Sequence, residues 1–351
     1  MAVFPIAPVT SIEPYGNGRL HRTYRVGTTD GYYILQRLSP TIDPLVFGNV
    51  HRVTAHMARK GLRTSTIVKT RNGNLAHRDE VSGTLWRLMT FITGTTIENN
   101  PTTRQAASAA RFLARFHAAL TDYDGQLVPL SHFHDGAYIF GRLREALAAY
   151  RYRDGYAAWR SIAECIFTLA EERAERFGDW PTRMCHGDPK INNFRFDERG
   201  DDAIALIDLD TVGCYPLPLE LGDMLRSFCA RRIDKGSMTV REDVWHAAFG
   251  AYRMAAVVSD EEMDAVPDGF VLVTLELAAR YCIDAYEGGV FVLDTVRYAS
   301  HYEKGVTRAR ELITLVEDYL QKESVFSATH IVPEARRGCA LSPRGRRWGG
   351  S

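Results

Sequence analysis

Cysteine is sparse and unpatterned: Cys165, Cys185, Cys214, Cys229, Cys282 and Cys339 are scattered over 351 residues with no C-x-x-C pair. That spacing excludes a disulfide-stapled scaffold and a zinc-ribbon type of site, and suits free thiols of a reducing compartment. An excess of charge of either sign is also missing, since 43 basic side chains face 43 acidic ones. A net charge of zero gives no reason to expect a nucleic-acid or membrane-surface partner. No apolar run approaches the roughly 20 residues of a spanning helix. Met1-Ala2-Val3-Phe4-Pro5-Ile6 lacks the basic region and long apolar core of a secretory signal. No internal repeat is visible. What remains is an ordinary globular composition, 45% hydrophobic and 25% charged, with a length that suits two lobes or domains. These absences predict a cytoplasmic protein, monomeric or homodimeric.

What is present is a stretch rich in oxygen donors. Met184-Cys185-His186-Gly187-Asp188-Pro189-Lys190-Ile191-Asn192-Asn193 reads H-G-D-x-K-x-x-N. It is followed by an apolar strand ending on a carboxylate, Ala205-Leu206-Ile207-Asp208-Leu209-Asp210. Phosphoryl transfer from a nucleotide needs a group to accept the substrate proton, ligands for magnesium and something to hold the phosphates. Asp188 is placed as the proton acceptor. Asn193 and Asp208 offer the hard oxygen ligands that Mg2+ prefers. Asp210 is a second metal ligand or a group behind the first, and Lys190 can neutralise a transferring phosphate. Each piece alone is also common turn chemistry; order and spacing together make the case.

Around this stretch the pattern changes from strand to helix. Residues 11–38 read as a glycine-punctuated hairpin, with strands over 23–26 and 32–38. Gly16 and Gly18 allow close backbone approach to phosphates, or only a tight turn. Leu45 to Lys60 has helical spacing ending at Gly61. Asn72-Gly73 predicts a hairpin between 66–69 and 75–77. Thr84 to Phe91 alternates as a strand leading to Gly94, and the backbone from Met89 through Phe91 to Ile92 is where an adenine can hydrogen-bond. From Thr102 onward the pattern is helical, over 103–120, 137–150 and 156–177. His117 on the first of these faces reads as a packing histidine. A further helix starts near Leu219, with Asp223 in its first turns, either bonding backbone N–H groups of the catalytic loop or favoured by the helix dipole. Residues 240–323 read as helices broken at Asp268-Gly269 and Glu287-Gly288-Gly289. From Ser324 the chain is non-periodic, then basic and Gly-rich, and predicts a disordered tail.

His186-Gly187-Asp188 to Asn193, Ile207-Asp208 and Glu220-Leu221-Gly222-Asp223 resemble the aminoglycoside phosphotransferase and choline kinase superfamily. The resemblance implies a two-lobed, protein-kinase-like α+β fold: a small antiparallel-sheet N-lobe over residues 1–93 and a helical C-lobe over 94–323. It also implies ATP as co-substrate with Mg2+, Asp188 as catalytic base with Lys190, Asn193 and Asp208 on the metal, a structural role for His186, and Asp223 bracing the loop. Tyr33-Ile34-Leu35-Gln36-Arg37-Leu38, Trp86-Arg87-Leu88-Met89 and Arg280-Tyr281-Cys282-Ile283-Asp284-Ala285-Tyr286 look like the N-acetylhexosamine 1-kinase branch. That implies a sugar hydroxyl as acceptor, with Asp284 and Tyr281 as candidate sugar contacts. One departure stands out. Where most kinases of this fold carry a phosphate-holding lysine, this chain has Gln36 with Arg37 beside it. Neighbours on a strand point to opposite faces, so only one of the two faces the nucleotide. His21 or Arg22 is a further candidate phosphate contact. Rival readings are a kinase for an aminoglycoside, choline or homoserine-type alcohol, and a catalytically silent nucleotide-binding module.

Overall fold

The computed structural model describes residues 2–16, 21–40, 42–173, 176 and 180–327. Its N-terminal part is built on one antiparallel sheet. The strands are β1 (Val9–Pro14), β2 (Arg22–Thr28), β3 (Gly31–Arg37), β4 (Ile67–Val68), β5 (His77–Arg78) and β6 (Leu85–Thr90), ordered β1-β2-β3-β6-β4 with β5 also on β6. Tyr32, Tyr33 and Ile34 in β3 and Trp86 and Thr90 in β6 are residue types that pack well on a pleated surface. Register decides the two faces. Tyr24, Leu35 and Leu88 are partners across three strands, and Phe4, Val26, Leu35 and Leu88 form a small core of their own. The opposite face carries Ile34, Gln36, Arg87 and Met89. There α1 (Val46–Arg59) buries Val46, Phe47, Val50, Val53 and Met57, a helical stripe.

The Asn72-Gly73 turn forms, with Gly73 at φ +82° and the Thr70 N–H on the Asn74 carbonyl at 2.9 Å, but the strands beyond it do not form a ladder with each other. Ile67–Val68 and His77–Arg78 each pair with β6 instead. The longer strand offers both a partner, which a local turn signal cannot reveal.

The C-terminal part is helical: α2 (Thr103–Ala119), α3 (Gly136–Ala149), α4 (Tyr156–Glu171), α5 (Leu217–Cys229), α6 (Glu242–Ala255), α7 (Asp260–Asp264), α8 (Val266–Glu287), α9 (His301–Gln321) and α10 (Glu323–Ser327). Thr102 and Gln105 close a reciprocal capping box that starts α2. Short strands are inserted among the helices: β7 (Thr95–Thr96), β8 (Thr182–Cys185), β9 (Phe194–Phe196), β10 (Ala203–Leu206), β11 (Gly213–Pro216), β12 (Ala230–Asp234) and β13 (Ser237–Val240). Asp268-Gly269 is not a break but lies in the first turns of α8, with Pro267 at its start; a proline is tolerated there because that N–H has no helical partner. The tail also begins later than Ser324, since Phe326 is only 1% exposed and packs on Trp245 with ring centroids 4.8 Å apart. Residues 328–351, the rest of the expected tail, lie outside the described residues.

Helices α5 and α8 cross where two glycines remove side chains. A Cβ on Gly269 would sit 2.0 Å from the Pro218 carbonyl oxygen, and one on Gly222 would sit 2.5 Å from the backbone of Gly269 and Phe270. Backbone cannot swing aside, so Gly269→Ala is expected to destabilise by about 1–3 kcal/mol. A thermal melt reads this directly; a melting temperature equal to wild type would show that the helices are free to separate.

Candidate active site

The H-G-D-x-K-x-x-N stretch is the connection from β8 to β9, and Asp208 sits on the connection from β10 to β11. Two ladders tie these connections together: β8 pairs with β11 through Cys185 and Gly213, and β9 pairs with β10 through Phe194 and Leu206. The gap between them is closed by the His186 Nε2–H, which donates to the Ile207 carbonyl at 2.9 Å, and by the Ile207 N–H, which donates to the Asn193 carbonyl at 2.8 Å. Ile207, the residue before Asp208, is thus held through both its N–H and its carbonyl. Asp208 itself lies at φ +65°, a left-handed conformation costly for most side chains and concentrated at functional positions.

The loop is held from within as well. His186 Nδ1 accepts the Asp188 N–H at 3.2 Å. With Nε2–H committed to Ile207, this arrangement assigns the neutral Nε2–H tautomer. The Asn193 amide nitrogen donates to the Asp188 carbonyl at 2.8 Å, and among the described residues no donor takes its Oδ1. Lys190 Nζ bonds Asp188 Oδ2 at 2.5 Å. Burial alone would lower the Lys190 pKa, but Asp188, Asp208 and Asp223 outweigh it and raise it. Asp208 is solvent-exposed. Its carboxyl is pushed up, first by loss of hydration and then by Asp210 and Asp188, against the opposing field of Lys190. The structure therefore brings Asp188, Lys190, Asn193 and Asp208 close together. The open Asn193 Oδ1 and the Asp208 carboxylate are hard oxygen donors in a surplus of negative charge, a set that fits a divalent cation such as Mg2+.

The brace expected of Asp223 falls instead to Glu220, one turn earlier on α5. Glu220 is 1% exposed and accepts the His186 N–H at 2.9 Å and the Gly187 N–H at 2.8 Å. His117 on α2 donates through Nε2 to Glu220 at 3.3 Å and accepts the Tyr252 hydroxyl at 2.6 Å, so it is a satisfied packing histidine as read from its helical face. Cys185 brings its sulfur within 4.8 Å of the His117 and Glu220 ligand atoms. Those atoms are already committed to hydrogen bonds, which marks the trio as a brace. Asp223 pairs with Arg226 at 2.6 Å and turns its field on Lys190 and His134.

A second correction concerns Asp210. Arg87 holds it in a fork, Nη1 to Oδ1 at 2.6 Å and Nη2 to Oδ2 at 2.9 Å, and His21 Nε2 bonds Oδ2 at 3.1 Å. Burial would raise its pKa, yet Arg87 and His21 hold it well below the usual carboxylate range. With both oxygens occupied Asp210 is not free to ligate a metal, and His21 is likewise engaged. Arg87 also donates from Nε and Nη2 to Gln36 Oε1. Gln36 and Arg87 are register partners on the cleft face, whereas Arg37 lies opposite Trp86 on the other face. There it lines an outer recess with Arg22 and Arg78, so neither Arg22 nor Arg37 reaches the site.

Met89 sits between Ile34 and Ile67 in the sheet, so its backbone belongs to the ladder. The chain leaves the sheet after Thr90, with Phe91 against the rings of Tyr15 and Tyr32 at 5.8 and 5.9 Å. Gly18 lies outside the described residues. Asp284 and Tyr281 are corrected as sugar contacts. Asp284 is 0% exposed, and its Oδ1 accepts the Val290 and Phe291 N–H groups. Tyr281 stacks on Phe291 with centroids 4.1 Å apart. Both secure the turn after α8.

Sequence reasoning missed Arg87, Glu220, His134 and Glu276. Glu220 had a signal, its place in Glu-Leu-Gly-Asp; Arg87 had none, because its role depends on strand register. Comparison with known proteins bears on family and fold. The sequence pattern of the phosphotransferase enzyme family matches residues 11–257. Solved structures that superpose include a microcompartment-associated aminopropanol kinase, with a TM-score of 0.63, 14% identity, and 92% of this chain and 96% of that one covered. An amicoumacin kinase in complex with AMP-PNP and Ca2+ gives 0.60 at 14% identity, covering 91% and 94%. An aminoglycoside phosphotransferase from Alicyclobacillus acidocaldarius gives 0.58 at 16%, covering 92% and 95%. At these identities the likeness shows the shared protein-kinase-like fold. On the extent of the family match, the chain belongs to the phosphotransferase enzyme family and is a phosphotransferase acting on a hydroxyl group.

Proposed function

We propose that the protein transfers the γ-phosphoryl group of ATP to a hydroxyl of a small sugar, an N-acetylhexosamine at its anomeric position. The observation that carries the transfer reading is the hydrogen-bond network that ties Asp188 to Asn193 and Asn193 to Ile207, the residue before Asp208. Asp188 orients the incoming hydroxyl and accepts its proton. Lys190, charged and beside Asp188, neutralises the phosphoryl group in flight. Asn193 Oδ1 and the Asp208 carboxylate would hold Mg2+, which when bound offsets phosphate charge. The Arg87–Gln36 pair stands where most kinases of this fold carry the lysine. Its charge is spent on Asp210, so it fixes the floor of the phosphate site from below. The segment after Thr90 is the adenine edge. The choice of N-acetylhexosamine rests on the resemblance of the β3, β6 and α8 segments to that branch.

A second reading is a cationic amino alcohol as acceptor. It is favoured by the acids close to the catalytic loop, Asp223 and Glu276, the latter with a buried Oε1 that has no hydrogen-bond partner. One screen separates these. Purified protein with ATP and Mg2+ is offered N-acetylglucosamine, N-acetylgalactosamine, choline, homoserine and an aminoglycoside, and ADP release is followed. Turnover with an acetylated amino sugar, abolished by EDTA and restored by Mg2+, is the expected result. Preference for a cationic alcohol would replace the acceptor. Nucleotide binding without turnover on any acceptor would establish a silent module.

A further inference from the structure

We infer that His134 is a positioning residue for the catalytic loop: an imidazolium whose two ring N–H groups fasten the Gly187 peptide to Glu276 on α8. The inference deepens the transfer reading, because Gly187 immediately precedes the proposed base. His134 lies in the segment before α3 and is held at φ +51°, with His132 two residues earlier at +57°. Two non-glycine residues in the left-handed region within three positions persist only where surrounding contacts over-determine them. The contacts are visible. His134 Nε2 lies 2.9 Å from the Gly187 carbonyl oxygen, and Nδ1 lies 3.4 Å from Glu276 Oε2. Both partners are acceptors, so both nitrogens must carry hydrogen, which only the protonated ring provides.

The surroundings support the cation. Glu276 is 3% exposed, and its other oxygen, Oε1, is buried without a hydrogen-bond partner. A buried carboxylate in that state needs a nearby positive charge. Asp223 on α5 adds a second negative field. From β11 the Tyr215 ring meets His134 edge-on at 5.5 Å, and the Phe133 ring does so at 4.5 Å; neither brings charge. On its own segment, His132 and Asp135 are engaged with each other at 3.1 Å. Burial would lower the His134 pKa, but Glu276, Asp223 and the Gly187 carbonyl raise it to about 9. The clasp is therefore closed at neutral pH and opens as pH rises through that value. Its stabilisation is complete below the ordinary histidine pKa of ~6.5 and is lost toward alkaline pH.

The test reads the loop without requiring any acceptor. In wild type the His134 Cε1–H resonance, identified by its loss in His134→Gln, should titrate near pH 9. In His134→Gln the amides of residues 185–188 and 190–193 should exchange about 10-fold faster or more at neutral pH. Wild type should show the same loosening above pH 9.5, after correction for intrinsic exchange. Glu276→Gln serves as the second variant: it keeps an acceptor oxygen, lowers the titration midpoint and loosens the loop at neutral pH. With an acceptor from the screen, His134→Gln should lose about 10- to 100-fold in kcat, as misplacement of a base does, with KM for ATP unchanged. A titration midpoint at or below 7, or unchanged exchange in both variants, overturns the inference. Failure to find any acceptor would sink the transfer reading alone, because resonance and exchange still decide the clasp.

Discussion

Asp188→Asn is expected to lower kcat by about 10²–10⁴-fold, the usual contribution of a positioned general base, while KM for ATP stays close to wild type. The substitution keeps shape, removes the proton-accepting charge and weakens the pair with Lys190. The loop should stay in place, because the Asp188 N–H is held by His186 and its carbonyl by Asn193. The melting temperature should therefore hold, which separates lost chemistry from lost structure. An equal fall in kcat and kcat/KM marks an interaction made only in the transition state. Turnover within about tenfold of wild type, below the range of a working base, would mean that another group takes the proton.

The second large effect is on stability and belongs to Arg87. Its side chain is 2% exposed, and the Asp210 carboxylate it forks is 9% exposed. Arg87→Met leaves that carboxylate buried with only His21 as partner, a change expected to cost about 3–5 kcal/mol. The sign with pH follows from the depressed Asp210 pKa. Asp210 sits below its unfolded value in wild type, so the pair's stabilisation is present above the ordinary aspartate pKa. It is lost as pH falls toward the depressed one. The deficit of Arg87→Met should be greatest at neutral pH and shrink in acid, where the stranded carboxylate protonates. Arg87→Met combined with Asp210→Asn should be more stable than Arg87→Met alone. Urea titrations at pH 7 and pH 4 measure both points. Strictly additive losses would show that the two side chains do not stabilise each other, and the N-terminal sheet would need another anchor to the Asp208 connection.

These two predictions mark where local reading ends. Asp188, Lys190 and Asn193 were legible because they lie on one short loop, where spacing along the chain nearly equals position in space. Asp208 was legible because an apolar strand ending on a carboxylate is a local pattern. Asp223 and Asp210 were assigned by the same logic and misplaced. A helix offers two acids one turn apart, and only packing against His117 selects Glu220 to receive the loop's N–H groups. Asp210 has the right spacing for a ligand, but an arginine 123 residues away occupies it. Asp284, between aromatics on an apolar helix, looked like a sugar contact until the turn over residues 290 and 291 folded back onto its oxygen.

The sequence by itself determined the two-part architecture, since hydrophobic period and turn chemistry act over a few residues, and the loop that carries the proposed chemistry. Tertiary structure alone decided which charges neutralise one another. Arg87 faces Asp210 because antiparallel register puts it opposite Gln36 on the side of α1, and His134 reaches Gly187 because α3, packed on α8, carries the segment before it over the loop. Ion pairs and clasps of this kind join residues through space, and strand register and helix crossing, set by burial of the whole core, choose the partners.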